Sequence, residues 1–180
     1  LLKFGGETEA EWNKTVREVL RKQSVKGIVL DLRNNPGGYL QSAVDVASDF
    51  LKTGSVVVTE ERGDGTKNEF KVERLGLLTS TPTVVLVNEG SASASEILAG
   101  ALRDVRKIVL VGQKSFGKGT IQEPIEMEGG AGFHITIARW LTPNGTWVNE
   151  KGLEPDVVVE DDAKTPEDEQ LDKAIELLGK

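Results

Sequence analysis

A short apolar run, a tight turn and an amphipathic helix follow one another twice in this 180-residue sequence. The first unit has a β-branched run at 28–32, a turn rich in Asn, Pro and Gly, and apolar residues at helical spacing over 40–51. The second has a run at 83–87, a turn at 88–90 and a helical pattern over 97–105. Runs this short and apolar are typical of strands buried on both faces. The repeat predicts an α/β fold whose sites lie at the loops that leave the carboxyl ends of the strands.

Other segments of the sequence predict further elements around these two units. Thr8 and Glu11 fit the capping box of a first helix, which is expected to end near Gly27. The segment at 62–66 predicts the tip of a hairpin, and the run at 133–138 alternates as a half-exposed antiparallel strand does. The remaining predictions are a strand at 108–111, a loop at 112–119, a short strand at 157–159, an acidic linker at 160–162 and a helix at 167–178.

The charge balance and the rare residue types narrow the functions open to this chain. It carries 22 Lys and Arg against 29 Asp and Glu, a net charge of −7, which argues against a nucleic-acid partner. It has no Cys and one His, His134, so thiol nucleophiles, thiolate metal sites and disulfides are excluded. A Ser/His/Asp triad would have to use His134, which alternates with apolar residues on a predicted strand and is expected to be structural. A hydrolase of this composition is therefore expected to use a different general base.

The loop after the second strand, at 90–96, contains three serines. A serine on a tight strand-to-helix turn places its hydroxyl at a helix N-terminus, where free N–H groups favour a developing oxyanion. The same residues also fit a capping box, with Ser93 followed by Glu96, and most serines that open a helix only cap it. The loop by itself leaves both interpretations open.

The loop at 112–120 is close to a phosphate-binding loop, because Gly112 precedes Gly117 and Lys118 at the required spacing. Gly119 stands where that motif needs a hydroxyl, and Pro124 follows too soon for the helix that the motif must open. Nucleotide binding is therefore a weak alternative. A lysine between two glycines can be directed inward, although a single lysine is more often an exposed charge.

A third loop, at 34–38, ends in two glycines whose N–H groups can serve as oxyanion donors or simply form a turn. Taken together, the three loops resemble one family, the carboxyl-terminal processing proteases, also called tail-specific proteases. The similar blocks are 27–38, 87–97 and 111–122, and the segment from 140 to 156 resembles the family as well. The resemblance extends over nearly the whole chain.

The resemblance implies a serine endopeptidase with a Ser-Lys dyad that cleaves proteins at or from their carboxyl-terminal tails through an acyl-enzyme. By this resemblance Ser93 is the nucleophile, Lys118 is the general base and Gln122 orients the lysine amine. It implies neither a cofactor nor a metal. A non-catalytic binding module with the same fold is the alternative, and the intact dyad argues against it.

The resemblance also implies the oxyanion hole and the fold. The backbone N–H of Ala94, together with that of Gly37 or Gly38, is expected to hold the oxyanion. The fold is expected to be an α/β core of repeated strand-turn-helix units with a mixed sheet, similar to the crotonases and the Clp protease subunit.

Domain organisation and location follow from the same resemblance. Residues 1–180 are expected to be a catalytic core, with an acidic linker and terminal helix at 160–180, and with a PDZ domain and an export signal or anchor upstream. The expected partners are proteins with apolar carboxyl-terminal tails, and the expected location is the bacterial envelope, such as the periplasm, or an organelle lumen. Self-association and the activity of the isolated core are left open.

A lysine can accept the serine proton only as a neutral amine, which burial favours and a nearby carboxylate disfavours. We therefore expect the Lys118 amine to lie among apolar groups and the Gln122 amide rather than beside Asp or Glu.

Overall fold

The computed structural model describes residues 1–22, 24–126, 132–160 and 166–179. The helices are α1 (Thr8–Arg21), α2 (Leu40–Phe50), α3 (Ala94–Arg106) and α4 (Glu169–Leu178). The strands are β1 (Ile28–Asp31), β2 (Val56–Arg62), β3 (Lys67–Lys71), β4 (Thr83–Val87), β5 (Val109–Gly112), β6 (Thr120–Glu126), β7 (Gly132–Leu141) and β8 (Val157–Val158).

One sheet is parallel, with the strand order β1-β4-β5-β8. Alternate residues of β4 point to opposite faces of this sheet. Val85 and Val87 join the large core that contains residues of α2 and α3. Val84 and Leu86 join a smaller cluster with Ala174 of α4. The sheet is therefore covered by helices on both faces, as its continuous apolar strands require.

The second sheet is antiparallel, with the order β3-β2-β7-β6. Its inner side contributes Val57, Val58 and Trp140 to the large core. The register of β6 against β7 shifts between Ile121 and Gln122, where β7 contains one more residue than its partner.

The predicted α/β fold class with strand-turn-helix units is confirmed, with parallel and antiparallel pairing divided between two sheets. The strand predicted at 83–87 matches β4 in both bounds. Most of the acidic linker lies outside the described residues. In the described part of the chain, no helix combines the length and apolar character needed to cross a membrane.

Two predictions of local structure, both about the first helix, were wrong. The N-cap of α1 is Glu7, and the Thr8 hydroxyl instead accepts a hydrogen bond from Gly5 N–H at 2.8 Å. The first helix ends at Arg21, well before Gly27. His134, which was expected to be structural, lies exposed on β7.

The parallel sheet brings the three predicted loops to one edge. Asp31 is in register with Leu86, and Leu86 with Val111, so β1, β4 and β5 end at the same level. The loops that follow these strands therefore leave the sheet side by side. Binding and catalytic sites of α/β folds usually lie at this end of the sheet.

Candidate active site

Ser93 is the N-cap residue of α3, with φ 55° and ψ −115°. A positive φ is unfavourable for a residue with a side chain and is kept only where the surroundings enforce it. Here the Ser91 hydroxyl donates to Leu32 O at 2.9 Å and accepts from Asn88 N–H at 3.0 Å, which fixes the turn to the end of β1. The result is a half-buried serine on a sharp strand-to-helix turn.

The loop after β1 packs directly against this turn. A side chain at Gly37, where φ is 94°, would place its Cβ 2.8 Å from Ala94 N and 2.9 Å from Ser93 Cβ. The carbonyl of Asn35 accepts from Ala92 N–H at 3.0 Å and from the Ser95 hydroxyl at 2.9 Å. Only a glycine allows the two loops to approach this closely.

The structure distinguishes among the three predicted oxyanion donors. Gly37 N–H already donates to Asn35 Oδ1 at 2.9 Å. The N–H groups of Gly38 and Ala94 donate to no other residue in the described part of the chain. Ala94 is the first residue of α3, so its N–H is one of the unpaired donors at the positive end of the helix dipole.

Lys118 lies in the loop between β5 and β6, and two tryptophans hold its backbone. Trp140 Nε1 donates to Lys118 O at 2.8 Å, and Trp147 Nε1 donates to Gly119 O at 2.9 Å. The same loop donates from Phe116 N–H to Ser91 O at 3.0 Å. The Lys118 side chain is half-buried, and its ammonium forms no ion pair with any described carboxylate.

The segment after Lys118 is strand β6, not a helix. A phosphate-binding loop must open a helix, so this segment is not one, and the motif gives no support to nucleotide binding. Gln122 lies on β6 opposite Thr136 and is exposed. Neither Ser93 Oγ nor Gln122 makes a hydrogen bond with the Lys118 amine among the described contacts.

Glu96 joins the serine turn to the lysine loop, and sequence reasoning did not foresee this. Its side chain is fully buried, with 0% exposure. Oε2 accepts from Ser93 N–H at 2.8 Å and from Lys118 N–H at 2.9 Å. Oε1 accepts from the Ser115 hydroxyl at 2.5 Å and from Gly117 N–H at 2.7 Å. The predicted capping box accounts for the bond to Ser93, but nothing in the sequence indicated the other three.

The loop after β1 is also held from the side of α4. Arg33 bonds Asp31 at 2.7 Å and Asp168 at 2.8 Å. Hydrogen bonds from Arg33 hold the pKa of Asp168 below its usual range, and those same carboxylates raise the pKa of Arg33. Asp168 also caps α4 by accepting from Leu171 N–H at 2.9 Å. The terminal helix is thereby attached to the segment that leads to the glycines.

The site thus combines a serine at a strained helix N-terminus, the N–H groups of Ala94 and Gly38, which donate to no other described residue, and a half-buried lysine on the adjacent loop. A hydroxyl, an amine and N–H donors are the groups that acyl transfer requires.

Comparison with known proteins agrees with this chemistry. The family model described as peptidase family S41 matches residues 1–159. The carboxy-terminal processing protease CtpA of Bacillus subtilis is 41% identical over 162 residues, which are 89% of this chain and 34% of that protein. The carboxyl-terminal-processing protease of Synechocystis sp. is 44% identical over 165 residues, or 88% of this chain and 38% of that protein. The chain therefore spans about a third of the length of these relatives.

Among solved structures, a photosystem II D1 C-terminal processing protease superimposes with a TM-score of 0.80 at 36% identity, covering 100% of this chain and 45% of that one. The expected family is confirmed by sequence and by fold: the chain belongs to peptidase family S41.

Proposed function

We propose that this chain is the catalytic core of a serine endopeptidase that uses Ser93 and Lys118 to cleave proteins at or from their carboxyl-terminal tails. The observation that carries the proposal is the position of Ser93, at φ 55° on a helix N-terminus, with its backbone N–H bonded to the same carboxylate oxygen as that of Lys118. The relatives' printed names supply the substrate class, since they are carboxy-terminal processing proteases.

In this mechanism the neutral Lys118 amine takes the proton of the Ser93 hydroxyl as Oγ bonds to the scissile carbonyl carbon. The carbonyl electron pair moves to oxygen, where the N–H groups of Ala94 and Gly38 stabilise it. The C–N bond then breaks, and the Lys118 ammonium gives its proton to the leaving nitrogen. A water molecule next attacks the acyl-enzyme and passes a proton to Lys118, which returns it to Ser93.

The surroundings of Lys118 support its role as a base. Its amine has no carboxylate partner within ion-pair distance among the described residues. Gln122 is assigned to orient the amine, because a neutral amide oxygen accepts a hydrogen bond without adding charge. Hydrogen bonds among Ser93, Lys118 and Gln122 are proposed to form when substrate binds, since catalytic hydrogen bonds often tighten only in the substrate complex.

The proposal extends to the rest of the protein through the family resemblance. A PDZ domain that binds apolar carboxyl-terminal tails, and an export signal leading to the bacterial envelope, are proposed as parts of the same protein. The chain itself supplies the reacting groups.

Cleavage by variants tests the proposal. Ser93→Ala and Lys118→Ala should each lower cleavage of an unfolded protein with an apolar tail by more than about 1000-fold. Ser24→Ala and Lys26→Ala are matched controls on exposed residues and should cleave as the unmodified chain does. Products are identified by mass spectrometry. Cleavage retained in either dyad variant contradicts the assignment, and a properly folded chain without any cleavage would favour the non-catalytic binding module.

A further inference from the structure

Glu96 is a buried carboxylate that nothing in the proposed reaction uses. It lies in the first turn of α3, with both of its oxygens hydrogen-bonded. No described cation forms an ion pair with it. Its charge is balanced instead by neutral donors and by the positive end of the helix dipole, an arrangement that stabilises a carboxylate at this position.

The bonds of Glu96 connect two loops that are distant in the sequence. One bond, from Ser93 N–H, closes the cap of its own helix. The other three come from Ser115, Gly117 and Lys118, which are 19 to 22 residues away. A residue that only caps a helix would need the first bond alone. Three bonds to the lysine loop therefore serve a different purpose.

We infer that Glu96 is a positioning residue for the reaction, which fixes the lysine loop against the serine turn. This inference rests on the proposed function of Ser93 and Lys118. Because one oxygen accepts from the backbone N–H of both residues, it sets how far apart the two reacting side chains begin. Displacement of a reacting group by about 1 Å lowers a rate by about 100-fold.

Among the described residues no cationic side chain forms an ion pair with Glu96, which fits this role. An arginine or lysine partner would place a second positive charge close to Lys118. Backbone N–H donors hold the carboxylate as firmly and add no side chain that competes for substrate. The site gains a rigid connection without a competing ammonium or guanidinium.

Glu96→Gln tests the inference, because an amide has one acceptor oxygen and one NH₂ group. Whichever way it turns, the NH₂ faces either the N–H groups of Ser93 and Lys118 or that of Gly117. We expect kcat for peptide hydrolysis to fall by about 100-fold with KM within about twofold, since the contacts with substrate are kept. Glu18→Gln, on the exposed face of α1, is the matched control and should leave both constants unchanged.

Amide hydrogen exchange provides a second readout that does not depend on catalysis. The N–H groups of Gly117 and Lys118 should exchange faster in Glu96→Gln than in the unmodified chain, with exchange in β4 unchanged. An unchanged kcat, or a rise in KM that matches the fall in kcat/KM, overturns the positioning role.

If Glu96→Gln does not fold, Ser115→Ala replaces it, because this variant keeps the carboxylate and removes the hydroxyl that donates to Glu96 and accepts from Leu153 N–H. It should lower kcat by about tenfold with little change in KM, and an unchanged kcat overturns the inference. The Ser93→Ala variant separates the two proposals. If it still cleaves, the proposed function fails; if it is inactive and Glu96→Gln is fully active, only the role of Glu96 fails.

Discussion

Two fully buried carboxylates in this fold, Asp49 and Glu96, accept hydrogen bonds from different kinds of donor. Asp49, at the end of α2, accepts from the Arg74 guanidinium at 2.7 Å and from Trp12 Nε1 at 2.8 Å. Glu96, at the start of α3, accepts from a hydroxyl and from three backbone N–H groups. Asp49 is thus balanced by a cation, and Glu96 by neutral donors from two loops.

This difference in hydrogen-bond donors corresponds to a difference in the expected roles: Asp49 stabilises the fold, and Glu96 positions the reacting groups. Burial acts to raise the pKa of Asp49, but hydrogen bonds from Arg74 and Trp12 outweigh it, so the pKa lies below its usual value. That cluster attaches α1 and the segment around Arg74 to α2. Glu96 instead holds together two loops of the site. We therefore expect the ion pair between the buried Asp49 carboxylate and the partly exposed Arg74 to contribute mainly to the stability of the fold, and Glu96 to the alignment of the reacting groups.

The largest expected effect is on stability. Asp49→Asn removes the charge that faces Arg74 and one of the two buried oxygens that accept hydrogen bonds, and should lower the free energy of unfolding by about 2 kcal/mol, because the Arg74 side chain is 42% exposed and stays partly solvated. Denaturant unfolding followed by tryptophan fluorescence measures this loss. The folded variant should keep its kcat, and a fall in kcat like that of Glu96→Gln would remove the distinction between the two carboxylates.

Acid unfolding sharpens the same comparison. Because the folded pKa of Asp49 lies below the unfolded value of about 3.9, its contribution to stability is complete above that pH and is lost as the pH falls through the folded pKa. In Asp49→Asn the unfolding free energy should therefore change less steeply below about pH 4. If the unfolding free energy changes equally steeply with pH in the variant and in the unmodified chain, another group controls the loss of stability in acid.

The smallest expected effect is at Asp168, a carboxylate that lies partly exposed and pairs with Arg33. Asp168→Asn keeps an oxygen that can cap α4 and removes the charge and one of the two oxygens that accept from Arg33. We expect a loss of about 1 kcal/mol, because solvent screens a pair that is 38% exposed on the carboxylate side. Thermal unfolding at low and high salt measures it, and the difference from the unmodified chain should shrink as salt is added.

The sequence predicted well the elements whose signal is local. The apolar runs that became β1 and β4 were assigned to within one residue, because buried parallel strands need continuous β-branched residues. Strand β6 was missed, since Pro124 within it is a residue that strands rarely contain. Its pairing with β7 follows from the hairpin and not from its own composition.

At the site, the sequence provided the residue types, but their contacts depend on the fold. The bond from Gly37 N–H to Asn35 Oδ1 had a recognisable signal, because an Asn two residues before a turn residue forms an Asx turn. The three bonds from the lysine loop to Glu96 had none. Two of their donors are backbone N–H groups, which every residue but proline carries, so no spacing in the sequence marks them.

The most direct test of the central claim is whether Lys118 activates Ser93. The chain is treated with a phosphonofluoridate that reacts with activated serines, and the adduct is located by intact-mass and peptide mass spectrometry. We predict one adduct, on Ser93, in the unmodified chain and in Lys26→Ala, and none in Lys118→Ala. An equal rate of modification in Lys118→Ala, or an adduct on a different serine, would contradict the account.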